Sequence, residues 1–175
     1  MIDVPVVVSA RLRLRPHTPA DLDAATAMWA DVAVTRFTGG RAFTREETWA
    51  RLLRYTGHWA WFGFGFWAVE ERDGGAYVGQ LGLADFARDT TPPMPGMPEV
   101  GWSFVAAAHG RGYASEGVRA AMAWADANVA AARTTCLIDP ANIASIRVAR
   151  RCGFGDAGSV IYKGSRSLRF ERPRG

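Results

Sequence analysis

Cysteine is scarce in this sequence, and its arrangement is not typical of a metal or disulfide site. The chain has two cysteines, Cys136 and Cys152, and both lie in apolar segments without the spacing of metal ligands. Because a free cysteine behaves as a small hydrophobic residue, we interpret both as core residues. The pattern predicts neither a metal centre nor an oxidising compartment.

Long hydrophobic runs are also missing. The apolar run Val6–Val8 near the start is too short for the core of a signal peptide. No other apolar stretch is long enough to span a bilayer as a helix. We therefore expect a cytoplasmic protein without a membrane partner.

The composition is that of a globular domain. Of the 175 residues, 49% are hydrophobic and 22% are charged, so we predict one domain over residues 1–175. The formal net charge is +4, which suits either a nucleic acid or a smaller polyanion. The basic residues are scattered and have no aromatic stacking platform between them, so we expect no nucleic-acid partner.

Hydrophobic periodicity and turn residues predict an α+β fold with a mixed sheet. The predicted strands are Ala10–Arg15, Gly63–Glu70, Ala76–Ala84, Glu99–Val105, Arg133–Asp139, Ser159–Tyr162 and Ser167–Phe170. The predicted helices follow Thr18 and Thr44 and cover Tyr113–Val129 and Asn142–Cys152. A strand-helix-strand unit among hairpins indicates one parallel pair in an otherwise antiparallel sheet. Residues Arg88–Pro98 include four prolines, and we expect them to form an exposed loop.

A glycine-rich turn between a strand and a helix is the strongest local signal. Gly110 and Gly112 flank Arg111 and precede the helix that begins at Tyr113. A helix start offers free N–H groups and the positive end of the helix dipole, and glycine allows a bulky anion to approach the backbone. The turn therefore suits a pyrophosphate, although a glycine pair before a helix is also common in ordinary tight turns.

Several ordered motifs place this turn in a wider pattern. They are Arg11–Arg15 with Asp21, Val78–Gly82, Glu99–Trp102, Gly110–Glu116, Asn142–Ser145 and Cys152–Phe154. Together they cover nearly the whole chain, and in this order and spacing the sequence resembles the GNAT superfamily of acyl-CoA N-acetyltransferases. Within it, the sequence is similar to the RimJ/RimL-like branch of ribosomal-protein-alanine acetyltransferases.

The resemblance implies a fold and a cosubstrate. The fold would be a mostly antiparallel twisted sheet of about seven strands with one parallel pair splayed apart and four main helices. The cosubstrate would be acetyl-CoA, with no metal. The residues that the resemblance assigns to binding it are Phe104, Val105, His109, Gly110, Arg111, Gly112, Tyr113, Ala114, Asn142 and Ser145. His109 stands where relatives usually have Gln or Arg, and Asn142 with Ser145 also fits plain helix capping.

The resemblance also suggests the catalytic groups. A thioester is already reactive, so the enzyme has mainly to position the amine, remove its proton and stabilise an oxyanion. Glu99 is the predicted base, although an ordinary charge at a strand end explains it as well. Ser145 is the predicted acid, because the position of the usual tyrosine is Ala149 here. The N–H of Val105 is the predicted oxyanion donor.

The acceptor is left open by the sequence. It would be a primary amine, either a protein N-terminus or a small molecule, and the protein would be a monomer or a homodimer. The aromatic run from Tyr55 to Trp67 is mostly core in this interpretation, with some rings in an acceptor pocket. The alternative function is a non-catalytic acyl-CoA sensor, favoured by Ala149 and His109. His17 and His58 have no partner pattern and are predicted to be surface or packing residues.

Overall fold

The computed structural model describes residues 3–94 and 96–175. Over these residues the strands are β1 (Val7–Val8), β2 (Leu12–Arg15), β3 (Phe66–Glu71), β4 (Tyr77–Ala84), β5 (Thr90–Thr91), β6 (Glu99–Phe104), β7 (Arg133–Ile138), β8 (Gly155–Tyr162) and β9 (Ser165–Pro173). They form one sheet in the order β1-β2-β3-β4-β6-β7-β9-β8-β5. Among the described strands, β6 and β7 are the parallel pair, and the other neighbours are antiparallel. The α+β prediction with one parallel pair is confirmed.

The helices begin where capping residues predict. They are α1 (Leu22–Ala30), α2 (Val32–Thr35), α3 (Arg45–Phe62), α4 (Tyr113–Asn128) and α5 (Ile143–Arg151). Thr44 accepts a hydrogen bond from the N–H of Glu47, whose side chain accepts from the N–H of Thr44, so α3 starts with a capping box. The helix ends at Gly63, whose left-handed φ of 70° costs glycine little.

Helices cover both faces of the sheet, and the two faces differ in chemistry. Leu12, Leu14 and Leu81 are fully buried and pack in one apolar cluster with Val118 and Met122 of α4. The opposite face is covered by α1 and α3 and has a smaller apolar cluster. Alternation along the strands produces this division, because neighbouring residues of a strand point to opposite faces.

Some boundaries and short elements differ from the prediction. Strands β1 and β5 and helix α2 are too short to produce a periodic pattern, and they were not expected. Strands β8 and β9 are longer than predicted, because a register shift between Asp156 and Ser159 interrupts the alternation. The described residues of the Arg88–Pro98 segment are only partly exposed, which corrects the expectation of an exposed loop. Thr90 is buried in it, in the short strand that pairs with β8.

Candidate active site

A wedge opens between the two parallel strands. In the described part of the chain, β6 and β7 share a single ladder pair, Glu99 with Thr135, and the N–H of Thr135 donates to the carbonyl of Pro98 at 3.0 Å. Strand β6 then continues to Phe104 without a further pair to β7. Such a gap inside a sheet leaves main-chain donors and acceptors free for a ligand.

The hydrogen bonds of β6 to β4 show which of its main-chain groups face the wedge. The N–H of Val105 donates to the carbonyl of Val78 in β4 at 3.0 Å. In an antiparallel pair the bonding side alternates, so Trp102 and Phe104 turn their main-chain groups toward β7. The predicted use of the Val105 N–H as oxyanion donor is therefore wrong in this conformation, because β4 already occupies it. Phe104 remains at the wedge, and its carbonyl lies 3.0 Å from Nε2 of His109.

The glycine-rich turn stands at the open end of the wedge. Gly110 and Gly112 have left-handed φ values of 76° and 80°, and Gly112 is the N-cap of α4. This conformation is strained for other residues, which explains why glycine occupies both positions. Tyr113 and Ala114 are the first residues of α4, and their N–H groups have no earlier turn to bond to. The turn thus presents a short row of donors at a positive helix end.

Charged groups beside this turn are already paired. Arg111 forms an ion pair with Glu71 at 2.7 Å, and the phenol of Tyr113 donates to the same carboxylate at 2.6 Å. This hydrogen bond raises the pKa of Tyr113 and lowers the pKa of Glu71. Arg11 pairs with Glu116 at 2.7 Å, and the guanidinium carbons of Arg11 and Arg111 lie 4.7 Å and 4.4 Å from the centre of the Tyr113 ring. The side chain of Tyr113 is buried in this cluster, so it offers a ligand its main chain only.

The start of α5 places Asn142 and Ser145 one turn apart. Oδ1 of Asn142 accepts a hydrogen bond from the N–H of Ser145 at 3.1 Å, so Asn142 is the N-cap of the helix. Within the described residues the hydroxyl of Ser145 has no hydrogen-bond partner, and the residue is half-buried. Ala149, one turn further on, is fully buried. Contact of either polar residue with a cosubstrate remains a prediction.

Glu99 lies at the closed end of the wedge, and its carboxylate is bound to an arginine that the sequence did not reveal. Nε and Nη2 of Arg88 donate to the two oxygens of Glu99 at 2.6 Å and 2.7 Å. Burial opposes the charge of Arg88, but the hydrogen bonds to Glu99 outweigh it, so the pKa of the guanidinium is raised. Sequence patterns could not find this pair, because Arg88 lies in an irregular segment eleven positions before Glu99.

The aromatic run and the cysteines are structural for the most part. Trp59 and Trp67 are buried, whereas Trp61 is 85% exposed. Cys136 and Cys152 are buried free thiols, and burial raises the pKa of both. Across residues 3–94 and 96–175, no group of three or more His, Cys, Asp or Glu side chains is placed to hold a metal ion. None of the helices in the described chain combines the length and hydrophobicity that a membrane crossing requires.

Comparison with known proteins identifies a family whose model matches most of this chain. The model described as "Acetyltransferase (GNAT) domain" matches residues 11–155. The uncharacterized protein YkkB of Bacillus subtilis (strain 168) is 33% identical over 92 residues, which are 53% of this chain and 51% of that protein. The match thus spans about half the length of that relative.

Solved structures agree with the fold over nearly the whole chain. A protein from Bordetella pertussis assigned to the GnaT-family acetyltransferases superposes with a TM-score of 0.83 at 30% identity, covering 97% of this chain and 99% of the other. RimL, the ribosomal L7/L12 alpha-N-protein acetyltransferase solved with coenzyme A, superposes with a TM-score of 0.76 at 17% identity, covering 97% and 98%. At that identity the second likeness concerns the fold alone.

Proposed function

This chain belongs to the acetyltransferase (GNAT) domain family, and from that premise we propose that it transfers an acetyl group from acetyl-CoA to a primary amine. The observation that carries the proposal is the wedge between β6 and β7 with the glycine-rich turn at its open end. The flexible pantetheine arm of acetyl-CoA needs unpaired main-chain groups along its length. The diphosphate of acetyl-CoA needs several N–H donors at the start of a helix. The wedge supports the first requirement, and the turn at its open end supports the second.

The fit of the cosubstrate follows from the space around the turn. A Cβ built on Gly110 meets no heavy atom within 4 Å, so the turn is open on that side. A Cβ on Gly112 meets only Nη2 of Arg11, at 3.5 Å. The donors of the turn are therefore accessible to phosphate oxygens, with a basic side chain beside them. We assign the diphosphate to residues 109–114 and the pantetheine arm to the wedge side of Phe104.

The reaction we propose is direct attack in a ternary complex. The amine nitrogen attacks the thioester carbonyl, the carbon–sulfur bond breaks, and coenzyme A leaves as a thiol. Glu99 receives the amine proton, directly or through water, and Ser145 passes a proton to the leaving sulfur and regains one from solvent. The free hydroxyl of Ser145 and the position of Glu99 at the end of the wedge support these roles. The acceptor is a protein N-terminus or a small-molecule amine.

A non-catalytic acyl-CoA sensor is the second candidate. Ala149 replaces the tyrosine that many relatives use as acid, and both oxygens of Glu99 are bonded to Arg88. Such a protein would bind acetyl-CoA without releasing thiol. Release of free thiol over a panel of amines separates the two candidates.

Binding and turnover are tested together. Calorimetry with coenzyme A should detect binding to the wild-type protein, and Gly112→Asp should weaken it at least about 100-fold, because a carboxylate would face the diphosphate and an L-residue would be strained at that φ. Gly96→Asp, in an exposed segment, is the matched control. Thiol release is then measured with an alanine-initiated peptide, a serine-initiated peptide, a polyamine, lysine and an aminoglycoside. Unchanged affinity of a folded Gly112→Asp protein would refute the assigned site.

A further inference from the structure

Three separate segments of the chain meet at the Arg88 guanidinium. Arg88 comes from the irregular segment after β4, Glu99 is the first residue of β6, and Tyr162 ends β8. The guanidinium carbon lies 4.5 Å from the centre of the Phe86 ring and 4.6 Å from that of Tyr162. A guanidinium between two aromatic rings has little freedom to rotate or withdraw.

The contact with Glu99 has the geometry of a rigid ion pair. Two parallel N–H···O bonds of 2.6 Å and 2.7 Å join the two groups. The side chains of Arg88 and Glu99 are 20% and 8% exposed, so water competes little for either. A bidentate, shielded pair fixes the direction of the carboxylate more strictly than a single exposed contact does.

The same segment is also attached to the far edge of the sheet. Thr90 and Thr91 pair with Tyr162 and Ile161 of β8. Arg88 thus bonds inward to β6 only two residues before the chain bonds outward to β8. The irregular segment is therefore held at two points, by the Glu99 side chain of β6 and by the backbone of β8. Glu99 and Ser103 lie on one face of the sheet, as their pairing with Ala84 and Gln80 shows.

Glu99 occupies a position where orientation matters. It is the residue of β6 that pairs with β7, and the wedge begins immediately after it. Its side chain stands on the same face of the sheet as that of Ser103, and a carboxylate free to rotate there would not keep a fixed direction beside the wedge. Displacement of a reacting group by about 1 Å can cost about 100-fold in rate.

We propose that Arg88 is a positioning residue, which fixes the direction of the Glu99 carboxylate beside the wedge and attaches residues 85–94 to β6. This inference rests on the proposed acetyl transfer. Arg88 acts through Glu99 and touches neither substrate, so its removal has no effect of its own once Glu99 is gone.

A double-mutant cycle tests this dependence. The variants are Arg88→Gln, Arg88→Lys, Glu99→Gln and the double Arg88→Gln/Glu99→Gln, each assayed with the best amine of the panel. We expect Arg88→Gln to lower kcat about 10- to 100-fold, with the affinity for coenzyme A unchanged. Arg88→Lys should recover part of the rate, because it keeps the charge and loses the second hydrogen bond. In the Glu99→Gln background, Arg88→Gln should cost less than about twofold.

Arg172→Gln is the matched control. Arg172 forms a bidentate pair with Asp126 at 2.8 Å and 2.6 Å, and its side chain is 18% exposed, close to the value for Arg88. Arg172→Gln should lower the melting temperature by about as much as Arg88→Gln does, and its kcat should stay within about twofold of the wild-type value. Amide exchange at Thr90 and Thr91 should become faster in Arg88→Gln and stay unchanged in Arg172→Gln.

The outcomes separate this inference from the proposed function. Wild-type protein that binds coenzyme A but releases no thiol with any amine would overturn the acetyl transfer itself. An active wild type in which Arg88→Gln keeps its kcat would overturn the inference alone. Additive losses in the double variant, or unchanged exchange at Thr90 and Thr91, would also overturn it. If Arg88→Gln does not fold, the comparison is made with Arg88→Lys, for which a kcat equal to the wild-type value contradicts the proposal.

Discussion

The two faces of the central sheet are built from the same strands and have opposite chemistry. On the α4 face, Leu12, Leu14 and Leu81 are fully buried among apolar neighbours. On the α1 and α3 face, Arg15 bridges Asp21 and Glu70 at 2.7 Å and 2.6 Å. The first face is held by packing and the second by paired charges as well.

Both faces contribute to the site. The polar face carries Glu99, whereas the glycine-rich turn and Ser145 belong to α4 and α5, which pack on the apolar face. Gln80 donates to the hydroxyl of Tyr55 at 2.6 Å, and four residues further along the same strand Ala84 pairs with Glu99. Buried polar groups need partners in fixed geometry, so a face that contains several of them also specifies where each side chain points. The difference teaches that packing on the α4 face supplies most of the apolar burial, while hydrogen bonds on the α1 and α3 face fix the direction of buried polar side chains. Three substitutions test that division.

The largest expected effect belongs to the polar face. Glu99→Gln should lower the rate of acetyl transfer by about 10²–10⁴-fold at low pH, because the amine then loses its base. The deficit should shrink as the pH rises toward the pKa of the acceptor, since the amine then arrives deprotonated. The measurement is a pH–rate profile of both proteins with one acceptor.

Two observations accompany that profile. The affinity for coenzyme A should be unchanged, because Glu99 lies at the opposite end of the wedge from the glycine-rich turn. Parallel profiles, or a deficit below about threefold at every pH, would remove Glu99 from the role of base.

On the apolar face, the expected effect is on stability. Leu81 is fully buried, and its Cδ2 lies 2.5 Å from where a Cβ on Gly117 would stand, so sheet and helix are in close contact there. Leu81→Ala should lower the free energy of unfolding by about 2–5 kcal/mol through a cavity. Urea denaturation measures it, with Leu53→Ala as control, because Leu53 is 54% exposed and should change stability by no more than about 0.5 kcal/mol. Equal losses would contradict the assignment of the core to this face.

The smallest expected effect is a pH dependence on the polar face. Burial lowers the pKa of His17 to about 4, although Asp21 acts in the opposite direction. The described residues offer no hydrogen-bond partner to either ring nitrogen, and the ring stacks on Tyr55 at 5.4 Å. Because the unfolded state binds a proton more readily, stability is full above pH 6.5 and declines as the pH falls toward 4, by about 3 kcal/mol in total.

His17→Phe should remove that decline. The phenylalanine ring can keep the stacking position and has no proton to gain. The free energy of unfolding of the variant should therefore vary less between pH 6.5 and 4 than that of the wild type. At pH 7.5 the two proteins should differ by about 1 kcal/mol or less, since His17 makes no hydrogen bond to lose. An identical pH dependence in both proteins would show that other groups cause it.

Local signals in the sequence predicted most elements of the fold. Thr44 with Glu47 predicted the start of α3, and the Asp73–Gly75 turn predicted the hairpin of β3 and β4, both of which the structure contains. These features are encoded within a few residues, because capping and turn geometry depend on neighbours in the chain. The glycine-rich turn before α4 belongs to the same class. The use of these residues by a cosubstrate stays a prediction.

What the sequence by itself determined, then, is the order of the longer strands and helices, the apolar stripe of α4 and the glycine-rich turn that precedes it. Only the tertiary structure decided that Arg88 meets Glu99, that Val105 donates its N–H to β4, and that the ring nitrogens of His17 are shielded from water. These contacts join residues from different segments, and their geometry depends on strand register and on how an irregular segment crosses the sheet. Periodicity reports which face a residue occupies, but the partner it meets there is set by packing of the whole chain.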